Sequence, residues 1–393
     1  MSARPLAGVT VVDLSRYLPG PLAAHQLACL GARVIKVEEP ELGDPVRWAP
    51  PRKDGLGALA APLLAGLESI ALDLKKPAPR EILRALLEDA DVLLETFRPG
   101  GLARLGLDPQ ELRRRFPRLV ICSLSGWGQE GPLAQRAGHD LTYQAIAGSL
   151  APTAAVPSFP GADVLGAAHA VSSILAALYE RRSSGRGEWI DAALFDAALH
   201  ANLVAWAAEA GSPRAVGEPH DLSGALPAYH LYRTADDGWV ALSLLERHFW
   251  RRMCKALGRR DLRRAYLSRS PEVREELAAL FRQRSRRHWA ELFARHDLPA
   301  EVVLSPAEAL RHPQARARGV LGQGSEGLPR LAFPARFGGQ RPRAGDAFPE
   351  LGEHTGDVLA ELPGELPGAG RRRGIGRRRG WRQLVAKLLL RNG

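Results

Sequence analysis

The feature that most restricts this chain is the alternation of short apolar runs with helical patterns through its first half. VTVVDL (9–14) reads as a buried strand, and PGPLAAHQLACLG after it has proline at a helix start and glycine at its end. ARVIKVE, SIALDL (69–74), DVLLET (91–96) and the end of QELRRRFPRLVICSLSG supply further strands, with PREILRALLEDA a helix between two of them. Apolar runs without polar alternation suit strands covered on both faces. The helices between them are the crossovers that parallel neighbours require. The rhythm therefore predicts an α/β fold: a Rossmann-like, mostly parallel sheet in a large domain, with ligands bound at the carboxyl ends of its strands.

Residues 162–181 read as a long helix rich in small side chains, and GEWIDAALFDAALHANLVAWAAEAG as a strand and a further helix. From about 222 the texture changes. LPAYHLYRTADDGWVALSLL alternates as an antiparallel hairpin turning at 236–238, and helical patterns follow. The expected organisation is a large α/β domain over 1–200, completed by 326–362, and a second, smaller α+β domain over 222–325. Residues 363–393 form a basic tail, expected to be disordered.

Charge and motif content narrow the function. The formal charge of +11 is concentrated in the tail, where nine basic residues face one acid, Glu365, leaving +3 for the rest. Nucleic acid is not an expected partner on this distribution. The last part of the tail, 381–390, has the pattern of a short basic amphipathic helix, so weak contact with an anionic membrane is open. No apolar run approaches the roughly 18 residues of a membrane span, and the N-terminus lacks a signal-peptide pattern, so a cytoplasmic location is expected. Cys29, Cys122 and Cys254 are scattered and odd in number, as for reduced, buried thiols. The first strand is followed by SRYLPGPLAA with no G-x-G-x-x-G, and neither a P-loop nor H-E-x-x-H occurs.

Several segments, in order, carry a resemblance over about 5–362. They include PLAGVTVVDLSRYLPGPLAAHQLACLGARVIKVEEPELGDPVR, ADVLLETFRPGGLARLGLD, PRLVICSLSGWGQEGPLAQRAGHDLTYQAIAG, ERRSSGRGEWIDAALFDA and LGEHTGDVL. The chain resembles the family III CoA-transferases and racemases, nearer to the α-methylacyl-CoA racemase-like members. The resemblance implies an acyl-CoA thioester substrate and no cofactor beyond CoA. It also implies an interlocked homodimer whose sites combine the large domain of one subunit with the small domain of the other.

It further implies site residues. Asp163 in GADVLGAA matches an aspartate of both branches, His139 in AGHD matches the racemase branch, and Glu246 in LLERHFW matches the glutamate that holds that histidine. Arg98, Lys75 and Arg47 are implied contacts for CoA. Racemisation at the carbon beside a thioester needs one group to take a proton and another to return one on the opposite face. His139 and Asp163 suit those roles, with backbone N–H groups at the start of the helix near Asp163 facing the enolate oxygen. A CoA-transferase would instead use Asp163 as a nucleophile on the thioester carbonyl and would not need His139. Plainer roles stay open: a helix cap for Asp163, a structural histidine at 139 beside a capping Asp140, a solvated helix start for Glu246, and surface charges for the three cations. One departure stands out. Glu68 lies near where the family carries a lysine, so a phosphate contact is lost or moved to Arg52 or Lys53, or the chain is a non-catalytic CoA-binding protein.

Overall fold

The computed structural model describes residues 4–324 and 327–362; the expectations for the tail fall outside them. Six strands form one sheet: β1 (Thr10–Asp13), β2 (Arg33–Glu38), β3 (Glu68–Ala71), β4 (Val92–Glu95), β5 (Val120–Ser125) and β6 (Trp189–Ala193). Their spatial order is 3-2-1-4-5-6 and every neighbouring pair is parallel. This is the doubly wound arrangement predicted from the rhythm of the sequence, with the order reversing between β1 and β4. Val11, Val12, Val34, Ile35, Leu93 and Ile121 are buried, which is why these strands are apolar throughout rather than alternating.

The helix α1 (Pro19–Cys29) opens on proline and buries nearly all its length. In α2 (Pro77–Glu88), Ile82, Leu83, Leu86 and Leu87 recur at helical spacing and pack into the core beside Ile70 and Leu93. A short helix α3 (Asp140–Ile146) precedes α4 (Gly161–Ser184), which packs on α1, β5 and β6. At 24 residues α4 is long and apolar enough to cross a membrane by length and composition, contrary to the expectation that no run approaches that length. Its Ala162, Ala167, Ala170, Val171 and Ile174 are buried against the rest of the protein, the pattern of a core helix.

The chain divides into two compact units. The first takes in the described residues up to Tyr143, Pro160–Ala198 and those from Gln314 on; the second comprises Gln144–Phe159 and Leu199–Pro313. In the second unit β7 (Tyr229–Arg233), β8 (Trp239–Ser243) and β9 (Ala300–Val302) form an antiparallel sheet in the order 9-8-7. The hairpin turns at 236–238, with Asp237 at φ 54°. Helices α5 (Arg247–Ala256), α6 (Pro271–Phe281) and α7 (Arg286–Arg295) follow the hairpin, and a core of Tyr232, Val240, Trp250, Phe281, Trp289 and Phe293 joins the elements. The three cysteines are free and buried.

At the carboxyl ends of β1 and β2 lies a fully buried ion cluster. The Lys36 ammonium is 2.9 Å from an Asp44 oxygen and 3.1 Å from Asp13, and donates to the Ser15 carbonyl at 2.9 Å. Burial opposes the charge, but Asp13, Asp44 and Glu38 outweigh it and push the Lys36 pKa up. Asp44 in turn accepts from the backbone N–H groups of Val46 (3.0 Å) and Tyr17 (3.1 Å). Removing the ammonium alone would leave two buried carboxylates uncompensated. Lys36→Met should therefore lower the unfolding free energy in a urea titration by about 3–5 kcal/mol, whereas the exposed Lys75→Met should change it by less than about 0.5 kcal/mol.

Candidate active site

The carboxyl ends of β1, β2 and β3 enclose a cavity of about 160 Å³. Ser15 and Arg16 line it from the turn after β1, Glu38 from the last position of β2, Asp44 from the loop after it, Lys75 from the loop after β3, and Phe97 from the loop after β4. Close approach of α1 to the first turn depends on Gly20, where a Cβ would stand 2.1 Å from that of Ser15.

The cations implied for CoA take different places around this cavity. Lys75 lines it and is exposed. Arg98 is exposed in the loop that carries Phe97, and that loop is held by the buried Glu95, whose carboxylate accepts from the Phe97 N–H at 2.6 Å. Burial pushes the Glu95 pKa up to about 7, against hydrogen bonds from Ser123 and Phe97. Arg47 is turned inward. It grips Glu38 through Nε and Nη2, both at 2.7 Å, and donates through Nη1 to the Pro349 carbonyl at 2.9 Å. Most of its donor fork is thus committed to shaping the loop after β2. Glu68 sits at the opposite end of β3 from the cavity, paired with Arg33 at 2.7 Å. Lys53 donates to the Gly327 carbonyl at 3.1 Å and Arg52 to that of Trp48.

His139, Asp140 and Asp163 meet where α3 and α4 begin. The His139 backbone is pinned: its carbonyl accepts from the Thr142 N–H (2.8 Å) and hydroxyl (2.7 Å), and its N–H donates to the same hydroxyl oxygen (3.0 Å). The side chain is exposed, with the Tyr17 ring edge-on at 6.4 Å between centroids and 81° between planes. Arg16 and Tyr17 thus connect the cavity to the histidine through two consecutive residues. Asp140, next along the chain, accepts from the Asp163 N–H at 3.1 Å. The two residues expected to be bases therefore flank one shared carboxylate. That bond also occupies the Asp163 N–H, one of the donors expected to face an enolate oxygen.

Asp163 is the third residue of α4, not its cap; the cap position is Pro160. Its side chain is half-buried, and no hydrogen bond from the described residues reaches its carboxylate. Burial, then the Asp140 charge, push its pKa up to about 7. Tyr143 packs beside it, its pKa pushed up to about 12 by burial and by the Asp163 charge, with Arg98 opposing. Trp127 stands edge-on to Tyr143 at 4.8 Å, and room for the tyrosine is left by Gly126, where a Cβ would come within 2.3 Å of its hydroxyl, and Gly138, where a Cβ would come within 2.5 Å of its ring. Glu246 belongs to the second unit, where it is exposed at the cap position of α5 and its carbonyl accepts from the Trp250 N–H at 3.1 Å.

The sequence offers Asp140 as a helix cap and does not single out Tyr17 or Tyr143. Nothing in the sequence marks either tyrosine; the close approach of Gly126 and Gly138 to Tyr143 exists only in the fold.

The sequence model of CoA-transferase family III matches residues 6–355. A succinate–glutarate CoA-transferase of Agrobacterium fabrum is 34% identical, over 91% of this chain and 96% of the relative. The human α-methylacyl-CoA racemase is 31% identical, over 91% and 93%. Among solved structures, a CAIB/BAIF family protein from Brucella suis superposes with a TM-score of 0.81 at 31% identity, covering 92% of this chain and all of that one.

The raised Asp163 pKa has a consequence for stability. Below about pH 4 the carboxyl is protonated whether the chain is folded or not. As pH rises, the unfolded chain ionises first while the folded site holds its proton until near 7, so stability is lost across that window. Asp163→Asn removes the penalty. It should raise the melting temperature relative to the parent at pH 8, and the gain should vanish at pH 4 in paired thermal melts.

Proposed function

Given that the chain belongs to CoA-transferase family III, an enzyme family that includes both transferases and racemases, we propose that it epimerises 2-methylacyl-CoA thioesters. The observation that carries this reading is the His139–Asp140–Asp163 arrangement, in which a carboxyl pushed up to about 7 is tied to the residue next to an exposed histidine. A group that titrates near neutral pH both takes and returns protons efficiently. In one direction His139 removes the proton on the carbon beside the thioester; the C–H electron pair passes into the carbonyl to give an enolate. Protonated Asp163 then supplies a proton to the other face, and the reverse direction exchanges the roles. Arg98 and Lys75 are proposed to meet the phosphates of CoA, with Arg47 bracing the loop beside them. Glu246 is proposed to hold His139 within a homodimer, and the cytoplasm is the proposed location. No cofactor beyond CoA belongs to this reading.

A second reading is favoured by the 34% identity to a succinate–glutarate CoA-transferase. There, ionised Asp163 attacks the thioester carbonyl, CoA thiolate leaves, and a mixed anhydride forms on the way to transfer of CoA to a second acid. For the non-catalytic reading, Glu68 is engaged by Arg33 away from the cavity, while the basic tail that also motivates it lies outside the described residues.

The test is α-proton exchange. In D2O with (2R)-2-methyldecanoyl-CoA, deuterium should enter the α-position with loss of configuration. His139→Ala and Asp163→Ala should each lower the rate by at least about 100-fold. Absence of exchange, together with CoA passage from succinyl-CoA to glutarate that survives His139→Ala, would establish the transferase instead.

A further inference from the structure

Tyr17 combines three properties that packing alone does not explain. It is a non-glycine residue in the left-handed region, at φ 67°. It is 56% exposed, so its ring gains little from burial. Yet its backbone is held from several sides: its N–H donates to Asp44 at 3.1 Å, the preceding Arg16 N–H donates to the Thr96 hydroxyl at 3.0 Å, and Asp44 is anchored by the buried Lys36. A strained backbone that the surroundings over-determine points to a use for the side chain it presents. That side chain meets His139, edge to face. The His139 backbone is pinned through Thr142, and among the described residues the Tyr17 ring, not a hydrogen bond, engages its imidazole.

We propose that Tyr17 is a positioning residue for His139: the Lys36–Asp44 cluster holds its backbone in the left-handed conformation so that its ring fixes the orientation of the imidazole. The proposal rests on the reading of His139 as a working base. The ring, not the hydroxyl, does this, since no hydrogen bond among the described residues engages the Tyr17 hydroxyl. Edge-to-face pairing restricts rotation of the imidazole in addition to the hold proposed for Glu246, and misorientation of a base by a fraction of an ångström is costly in rate.

The experiment separates positioning from packing because glycine suits φ 67° better than tyrosine does. In Tyr17→Gly the melting temperature should hold or rise while kcat for proton exchange on (2R)-2-methyldecanoyl-CoA falls by about tenfold or more and KM stays within about threefold. Tyr17→Leu keeps the strain but loses the ring and should show the same fall, and Tyr17→Phe should recover most of the rate. With histidines labelled with 13C, the His139 Cε1–H signal should shift in Tyr17→Gly as the ring current disappears, a readout independent of turnover. Parental kcat in Tyr17→Gly or Tyr17→Leu, or an unmoved His139 signal, overturns the proposal. His139→Ala is measured alongside. If it is inactive while Tyr17→Gly is not, the positioning role alone fails; if it keeps parental activity on either reaction, the reading of His139 fails and the proposal with it.

Discussion

A single buried ammonium organises the functional end of the sheet. Lys36 projects from β2 into a space where Asp13 of β1 and Asp44 of the following loop converge, and it also holds the Ser15 carbonyl. Such a cluster is poor value as bulk stabilisation, because three charges must leave water. Its return is geometric: it joins the turn after β1 to the loop after β2 at fixed separation. Those two segments form the cavity wall and deliver Tyr17 to His139. The neighbouring Glu38 continues the arrangement, accepting from the Asp44 N–H, Arg47 and the Ser69 hydroxyl, so that β3 is bound in as well.

A second shared carboxylate organises the other side of the site. Asp140 couples the first residue of α3 to the first turn of α4 through the Asp163 N–H. The hydrogen bond fixes position, while the charge acts on the Asp163 carboxyl in the same direction as burial, keeping it protonated to higher pH. Position and acidity are thus set by one group. Tyr143, edge-on to Trp127, stands within the field of both carboxylates: burial and the Asp163 and Asp140 charges push its pKa up, with Arg98 opposing.

The sheet order is that of dinucleotide-binding proteins, yet the turn after β1 has a different construction. In a dinucleotide site, glycines let a pyrophosphate approach a helix N-terminus. Here the same turn is filled by Ser15, Arg16 and Tyr17, and Gly20 serves close contact between α1 and Ser15. The scaffold is shared with such proteins and the chemistry lies in the loops, which is why fold alone could not assign the reaction.

The sequence by itself determined the parallel sheet, the hairpin of the second unit, the buried thiols and the family, because these depend on apolar periodicity, turn residues and motifs that are local in the chain. The family resemblance also singles out the residues at 139 and 163, whereas only the tertiary structure sets their surroundings. The bond from Asp163 to Asp140 joins residues 23 positions apart, Tyr17 reaches a histidine more than a hundred positions away, and Arg47 turns inward because Glu38 and the Pro349 carbonyl await it. Similarly, Glu68 reads in sequence as a lost phosphate contact, and in the fold it is the partner of Arg33 at the far end of its strand. Burial, field and hydrogen-bond partnership are properties of segments brought together across the chain. A linear pattern carries the identity of the groups, whereas their acidity and orientation arise only when those segments meet.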